Sequence, residues 1–421
     1  MKKHEYPKTG DVIYSEILEN GLKVYYLPKN DYHKVYGLFT TSFGSLDTTF
    51  GGKTYPEGIA HFLEHKLFEK EDGDVMYKFS ALGAQTNAFT SFSRTSYLFS
   101  TQENAAECVK LLLDFVQKPY FTEENVKKEQ GIIQQEIEMY RDDSDWQLFS
   151  GLLARLYPET ALAADIAGTP ETIWEITAND LYENHVKFYQ PSNMNLFLTG
   201  NFDLKEIAEL VRQNQAAKDF VKQEKFERTE VALNPVKSDS SINFEVAQPK
   251  LGLGFRGNDE LPTDEREFLD YKMSNIFLME MMFGKTSNRY EALYNQEIID
   301  DSFGHGFDSD LRFHYSFITA DTDKADELTE IVKTALENFE MDENFNDEHL
   351  ALIKKETLGD FYKSLNSLEF IAHQFSSNLT ESISFFELPE MVANLDLTTI
   401  TKYAKQFTEK MEMVKFTVES K

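Results

Sequence analysis

GIAHFLEHKLF, Gly58 to Phe68, sets two histidines and a glutamate among Ile, Ala, Phe and Leu. At about 100° per residue, Ile59, Ala60, Phe62, Leu63 and Leu67 share one side of a helix, and His61, Glu64 and His65 share the other. The segment is therefore predicted to be an amphipathic helix, apolar toward a core and carrying the trio on its polar face. Imidazoles at i and i+4 stand one turn apart and can reach a single metal ion, with the carboxylate at i+3 beside them. A metal that lowers the pKa of a water molecule, next to a carboxylate that takes its proton, is suited to amide hydrolysis. The order H-x-x-E-H is the inverse of the commoner zinc-protease order H-E-x-x-H. Three fixed letters in five also arise by chance on an exposed helix, so the motif needs a third protein ligand to define a site.

The candidate for that ligand lies in TEENVKKEQGIIQQEIEMYRDD, which begins at Thr122. Thr122 followed by Glu123 and Glu124 is a helix start, and Val126, Ile133, Ile137 and Tyr140 supply an apolar stripe. Glu129 and Glu136, seven apart, fall within about 20° of each other on a different face. One can ligate while the other supports. Glutamate is common on exposed helices, and it is the pairing with the first motif that gives these two weight.

The chain has 421 residues, 41% hydrophobic and 27% charged, which implies two or more domains with sizeable cores. Asp and Glu number 72 against 42 Lys and Arg, a formal net charge of -30. That balance argues against nucleic acid as a partner, since phosphate binding needs clustered basic residues. It leaves open an acidic chamber that attracts basic peptides and a generally acidic solvated surface. The opening MKKHEYPKTGDVIYSEILEN lacks the apolar run of a secretory leader, and no stretch approaches the roughly 18 apolar residues of a membrane span. The single cysteine, Cys108, cannot form an internal disulfide and agrees with a reducing, cytoplasmic setting.

YSEILENGLKVYYLP is a hairpin signal centred on Asn20-Gly21, and KVYGLFTTSF continues as strand. VKQEKFERTEVALNPVKSDS is charged, contains a proline and loses periodicity, so it is the expected linker. TSYLFSTQENAAECVKLLLDFV from Thr95 is echoed by HYSFITADTDKADELTEIVKTA from His314, about 219 residues on, as strand, polar turn and amphipathic helix. The expectation is an α+β chain of two homologous domains, each an antiparallel sheet packed with helices. Their bounds are read as 1–225 and 242–421, joined by a linker at 226–241.

With these segments quoted, the chain resembles the insulinase/pitrilysin-like inverzincin metallopeptidases, which include the mitochondrial processing peptidases. That family carries H-x-x-E-H and, some seventy residues on, a helix with two glutamates seven apart; EQGIIQQE supplies them here. NGLKVYYLP, GGKTYPEGIAHFLEHKLF and GAQTNAFTSFSRTSYLFS are also similar to family segments, dense in the first half and sparse in the second. The resemblance is to half-size bacterial members, whose two domains form half of a clamshell. It implies that His61, His65 and Glu136 bind zinc, that Glu64 is the general base, and that Glu129 orients the site. It also implies that NAFTSFSRTSY, Asn87 to Tyr97, is an edge strand holding an extended peptide, with Asn87, Ala88, Phe89 and Thr90 as the binding residues.

In one respect the sequence departs from the family. Active members contribute an Arg and a Tyr, seven apart, from the second domain to steady the developing oxyanion. The equivalent stretch here is LYNQEIIDDSF, Leu293 to Phe303, with Tyr294 and Asp301 at those places. Arg289 and Tyr290 lie upstream without the spacing, and the counterpart of the metal helix, NIFLMEMMFGK, has no histidine. The expectation is a zinc peptidase whose homologous partner subunit, as in a heterodimer, supplies the Arg/Tyr pair. The alternative that the resemblance implies is an accessory homologue that binds without cleaving, as some family members do, linked, like half-size members of this type, to modification of a translation elongation factor.

Overall fold

The computed structural model describes residues 1–220, 228–377 and 384–421. The first half runs β1 (Lys2–Tyr6), β2 (Asp11–Ile17), β3 (Lys23–Pro28), β4 (Val35–Thr41), a short ribbon of β5 (Thr49–Phe50) and β6 (Lys53–Thr54), then α1 (Ile59–Leu67). A second ribbon of β7 (Glu69–Lys70) and β8 (Gly73–Asp74) leads to α2 (Val75–Ala81), β9 (Gln85–Thr90), β10 (Thr95–Thr101) and α3 (Ala105–Gln117). Next come α4 (Glu123–Arg141), α5 (Ser144–Leu156), α6 (Pro170–Ile173), α7 (Ala178–Phe188), β11 (Met194–Gly200) and α8 (Leu204–Ala216). The second half runs β12 (Ser240–Phe244), β13 (Lys250–Arg256), α9 (Glu265–Phe283), α10 (Asn288–Asn295), β14 (Gly304–Asp310) and β15 (Phe313–Asp321). It ends with α11 (Ala325–Glu337), α12 (Asp347–Ser364), α13 (Leu368–Ser377), α14 (Leu388–Asn394), α15 (Leu397–Thr408) and β16 (Glu412–Ser420).

The expected hairpin forms β2 and β3, with Gly21 at φ 90° and Asn20 Oδ1 accepting from the Leu22 amide. Among the described residues the first sheet has the order β1-β2-β3-β11-β4-β10-β9 and the second β12-β16-β13-β15-β14. The last five strands of the first sheet match the five of the second in order. In both, the outermost matched pair is parallel (β3 with β11, β12 with β16) and the other matched pairs are antiparallel. The fold is two-domain α+β, and each sheet is antiparallel apart from that one pair. The echoed segments are β10 with α3 and β15 with α11, at matching places. Residues 228–239 carry neither helix nor strand; residues 226 and 227 of the expected linker lie outside the described residues, and its last two, Ser240 and Ser241, open β12.

The domains hold each other by exchanging a helix. α5, from the first half, lies across the second sheet, where Leu152 and Leu156 meet the bare backbone of Gly254; a Cβ there would come within 2.7 Å of Leu156. In return Gly151 of α5 accepts the Phe416 ring, which would lie 2.1 Å from an added Cβ. α13, from the second half, lies across β4 and β11 of the first sheet. There Phe375 stacks on Phe197 at 4.4 Å between ring centroids, and His373 Nε2 meets the Tyr36 hydroxyl at 2.9 Å. Each sheet thus buries one face on its own helices and the other on a helix of its neighbour. Beside the seam, buried Asp47 holds Arg228 at 2.8 Å and Arg312 at 2.9 Å, tying the first half to the second.

Candidate metal centre

Helix α1 starts on Gly58, whose φ of 88° and packing against the Ala167 carbonyl, 2.4 Å from where a Cβ would stand, leave room for glycine alone. Ile59, Ala60, Phe62, Leu63 and Leu67 enter the core beneath the first sheet, as the periodicity predicts. α4 starts on Thr122, which forms a capping box with Asn125, and anchors through Val126, Ile133 and Ile137. Tyr140, the last residue of the expected stripe, is half-buried against Trp146. With both apolar stripes fixed in one core, the polar faces of α1 and α4 must look at each other.

The ligand atoms of His61, His65 and Glu136 lie within 4.8 Å of one another. His65 Nε2 is 3.5 Å from Glu136 Oε2, and His61 Nε2 is 3.8 Å from Glu136 Oε1. The other nitrogen of His65, Nδ1, bonds Glu129 Oε1 at 3.1 Å, which leaves Nε2 to face inward. Lys66, fully buried, holds the second oxygen of Glu129 at 3.5 Å and also pairs with Glu69. Glu64 is 7% exposed, and its Oε2 accepts from the Thr90 hydroxyl of β9 at 2.5 Å.

Burial, with the positive neighbour His65, pushes the His61 imidazole down to about 3, so it stands neutral as a ligand must. Burial pushes the Glu64 carboxyl up to about 7, against the Thr90 bond. Burial also works against charge on His65 and Glu129. It is outweighed on His65 by the Glu129 bond and the surrounding carboxylates, and on Glu129 by His65 and Lys66, so His65 is raised and Glu129 lowered. Two imidazoles and one carboxylate are a hydrolytic zinc donor set. The inward nitrogens, and a neutral His61 whose buried Nδ1 has no partner among the described residues, fit such an ion.

The sequence reading brings the two motifs together but misses two neighbours. Lys66 directly follows the motif, and its signal is a lysine on the buried side of an otherwise apolar turn. Thr90 belongs to the expected peptide-binding set, but its bond to Glu64 depends on the pairing of β9. The edge expected over Asn87 to Tyr97 is shorter: Gln85–Thr90 is the edge strand, whereas Thr95–Thr101 is paired on both sides, to β4 and β9. In the second half, α9 and α12 stand where α1 and α4 stand in the first. Arg289 is engaged by the Met282 carbonyl at 2.8 Å and by Asp342, and Tyr294 is exposed on α10.

Comparison with known proteins fits this geometry. Residues 51–170 match the model of the insulinase family, peptidase family M16, and residues 175–357 match the M16 inactive domain. The chain is 41% identical over 408 residues to YmfH of Bacillus subtilis, described as an uncharacterized zinc protease, covering 95% of both chains. This chain belongs to peptidase family M16. It is a half-size bacterial member of that family of metallopeptidases. An uncharacterized zinc protease of Rickettsia bellii is 23% identical over 363 residues, covering 83% of this chain and 85% of that one. The crystal structure of an M16-like protein from Alicyclobacillus acidocaldarius superposes with a TM-score of 0.92 at 31% identity, covering 98% of this chain and 99% of that one. A protease from Helicobacter pylori shares the M16 fold with a TM-score of 0.80 at 18% identity, covering 97% and 99%. Among the described residues no helix is long and apolar enough to cross a membrane.

Proposed function

We propose that this chain is a zinc-dependent endopeptidase that cleaves short or unfolded peptides. The observation that carries the reading is the meeting of His61, His65 and Glu136 within 4.8 Å, with buried Glu64 at their side. In this reading the three residues hold one zinc ion, which when bound activates water and polarises the scissile carbonyl. Glu64 takes the proton from the attacking water and returns it to the leaving amine, its orientation fixed by Thr90. Glu129 fixes the tautomer and tilt of His65. Asn87, Ala88, Phe89 and Thr90, at the open edge of the sheet, pair with an extended peptide through the main chain.

The reading includes an enclosed chamber completed by a homologous partner subunit that supplies the Arg/Tyr pair, since Tyr294 and Asp301 occupy those places here. It divides the chain into domains at 1–225 and 242–421 and sets it in the cytoplasm, where the buried lone Cys108 stays reduced. The second reading, an accessory homologue that binds without cleaving and is linked to modification of a translation elongation factor, draws on the same two substitutions. An intact, buried Glu64 favours the first.

Metal content tests the reading. The purified chain should hold about one zinc ion, and His65→Ala should lose it while keeping its circular dichroism spectrum, because two ligands hold zinc poorly. Equal zinc in both proteins would remove the assignment.

A further inference from the structure

Ion pairs are frequent among the described residues, yet one guanidinium beside β9 has none there. Arg94 lies in the turn between β9 and β10, opposite Ser91, whose amide donates to the Arg94 carbonyl at 2.8 Å. Among the described residues its side chain has no hydrogen bond or ion pair; it lies over the face of the Phe89 ring, 5.7 Å from Cζ to the centroid. Burial lowers its pKa to about 10, a sign that water has been partly removed without a counter-charge in exchange.

The register decides what this cation faces. Thr90 points to α1, since its hydroxyl reaches Glu64. Strand residues alternate, so Phe89 points to the opposite face, where it stacks on His373 of α13 at 4.9 Å. Arg94 covers Phe89 and so belongs to that second face. A second cation in the other domain lies within reach of its field: Lys272 of α9, half-buried, has no hydrogen-bond or ion-pair partner among the described residues, and Arg94 helps to lower its pKa. Asp308 and Asp310 of β14 offset part of the Lys272 charge from beyond bonding distance. Nothing offsets Arg94 in that way. Lys272 also lines a cavity of about 490 Å³ between α9, α12 and α13.

A peptide added to the edge of β9 would itself alternate, with every second side chain on the Phe89 face. We propose that Arg94, assisted by Lys272, is the receptor for a carboxylate of the bound peptide on that face, supplied by an Asp or Glu side chain or by the peptide's C-terminus. The proposal rests on the peptidase reading and names its substrate class: peptides carrying one anionic group at a fixed distance from the cleavage point. The net charge of -30 acts without regard to position, whereas this pair would select one acid at short range. A guanidinium meeting a carboxylate in a partly dry site makes charge-assisted hydrogen bonds, so losing it should weaken acidic peptides by about 10- to 100-fold.

The test uses the full chain and fluorescein-labelled ten-residue peptides in which Glu is scanned through a neutral sequence, each with a Gln and a Lys counterpart. Every peptide is made with a free and an amidated C-terminus. Affinity is read by anisotropy on the zinc-loaded Glu64→Gln chain, and turnover on the wild type with and without a homologous partner. The expected result is a Glu-over-Gln preference at one position, or a free-acid-over-amide preference, that collapses toward unity in Arg94→Gln and turns into a Lys preference in Arg94→Glu. The inverted preference cannot come from a misfolded variant. Peptides bound or cleaved with the same Glu-to-Gln and acid-to-amide ratios in wild type and Arg94→Gln would overturn this inference and leave the peptidase reading standing. No binding or turnover of any peptide, with zinc in place, would overturn both.

Discussion

Helices α1 and α9 occupy the same place beneath sheets that share five matched strands, and α4 and α12 stand beside them in the same way. One pair brings His61, Glu64, His65, Glu129 and Glu136 together. The other presents no histidine on α9, and nearby His305 of β14 meets one carboxylate among the described residues, Glu280 at 3.6 Å. The scaffold is therefore not what creates the donor set, since the second half keeps the strands, the core and the crossing of the helices without it. Burying the apolar stripes of two helices fixes their backbones, and the side chains on their remaining faces decide whether a donor set forms. What the halves share is instead the helix exchange, in which α5 and α13 each cross the sheet of the other domain.

Glu64→Gln should produce the largest change and strikes the half that carries the site. Its amide cannot accept a proton, so turnover should fall by about 100- to 10,000-fold while zinc content stays at the wild-type level. A variant that keeps both zinc and activity would remove Glu64 from the mechanism. The second half is probed by what it lacks. Without the Arg/Tyr donors the isolated chain should cleave about 100- to 1,000-fold more slowly than a mixture with a homologue that has them. Full activity from the chain alone would mean that its own second half supplies equivalent donors.

The shared device is probed by Phe375→Ala on α13. Removing a ring packed on Phe197 and Tyr25 should cost about 3–5 kcal/mol, read as a lower denaturation midpoint. Leu152→Ala, the reciprocal cut on α5, should cost about 2–5 kcal/mol. If either truncation changes stability by less than 1 kcal/mol, the helix exchange is not what holds the domains together.

The smallest effect concerns acid. Each half holds a histidine pushed down to about 4 by burial, His185 in the first and His305 in the second. His185 is the deeper: its Nε2–H donates to the Val116 carbonyl at 2.9 Å, its ring stacks on Tyr189, and Lys70 adds to the cost of charging it. A depressed folded pKa means that the stabilisation is complete above the ordinary value near 6.5 and is lost as pH falls toward 4. For His185 the loss should reach about 3 kcal/mol, and His185→Phe should flatten the curve over that window. An unchanged pH profile of the melting temperature would show that other groups control acid unfolding.

Much of this was legible in the sequence because local periodicity and helix geometry act within a few residues. GIAHFLEHKLF and EQGIIQQE each place their polar side chains on one face whatever surrounds them, and Asn20-Gly21 fixes a hairpin by its own turn preference. The duplication also shows, as a repeated strand, turn and helix. Less legible was which strand forms an edge: the segment from Asn87 to Tyr97 reads as one open strand, although residues from Thr95 onward have neighbours on both sides. Alternation reports that a strand has two faces but not how many partners its backbone has.

The sequence by itself determined the histidine pair and the two candidate glutamates, the two copies of one α+β domain and the absence of an Arg/Tyr pair at the expected spacing, because each is a matter of residue type and short-range geometry. Only the tertiary structure decided that Thr90 holds Glu64, that Lys66 anchors Glu129 from within the core, that α5 and α13 cross to each other's sheets, and that Arg94 lies over Phe89 with no carboxylate partner among the described residues. Those contacts join residues far apart in the chain, and they depend on which apolar faces find each other during folding, a choice set by packing the whole core rather than by any one segment.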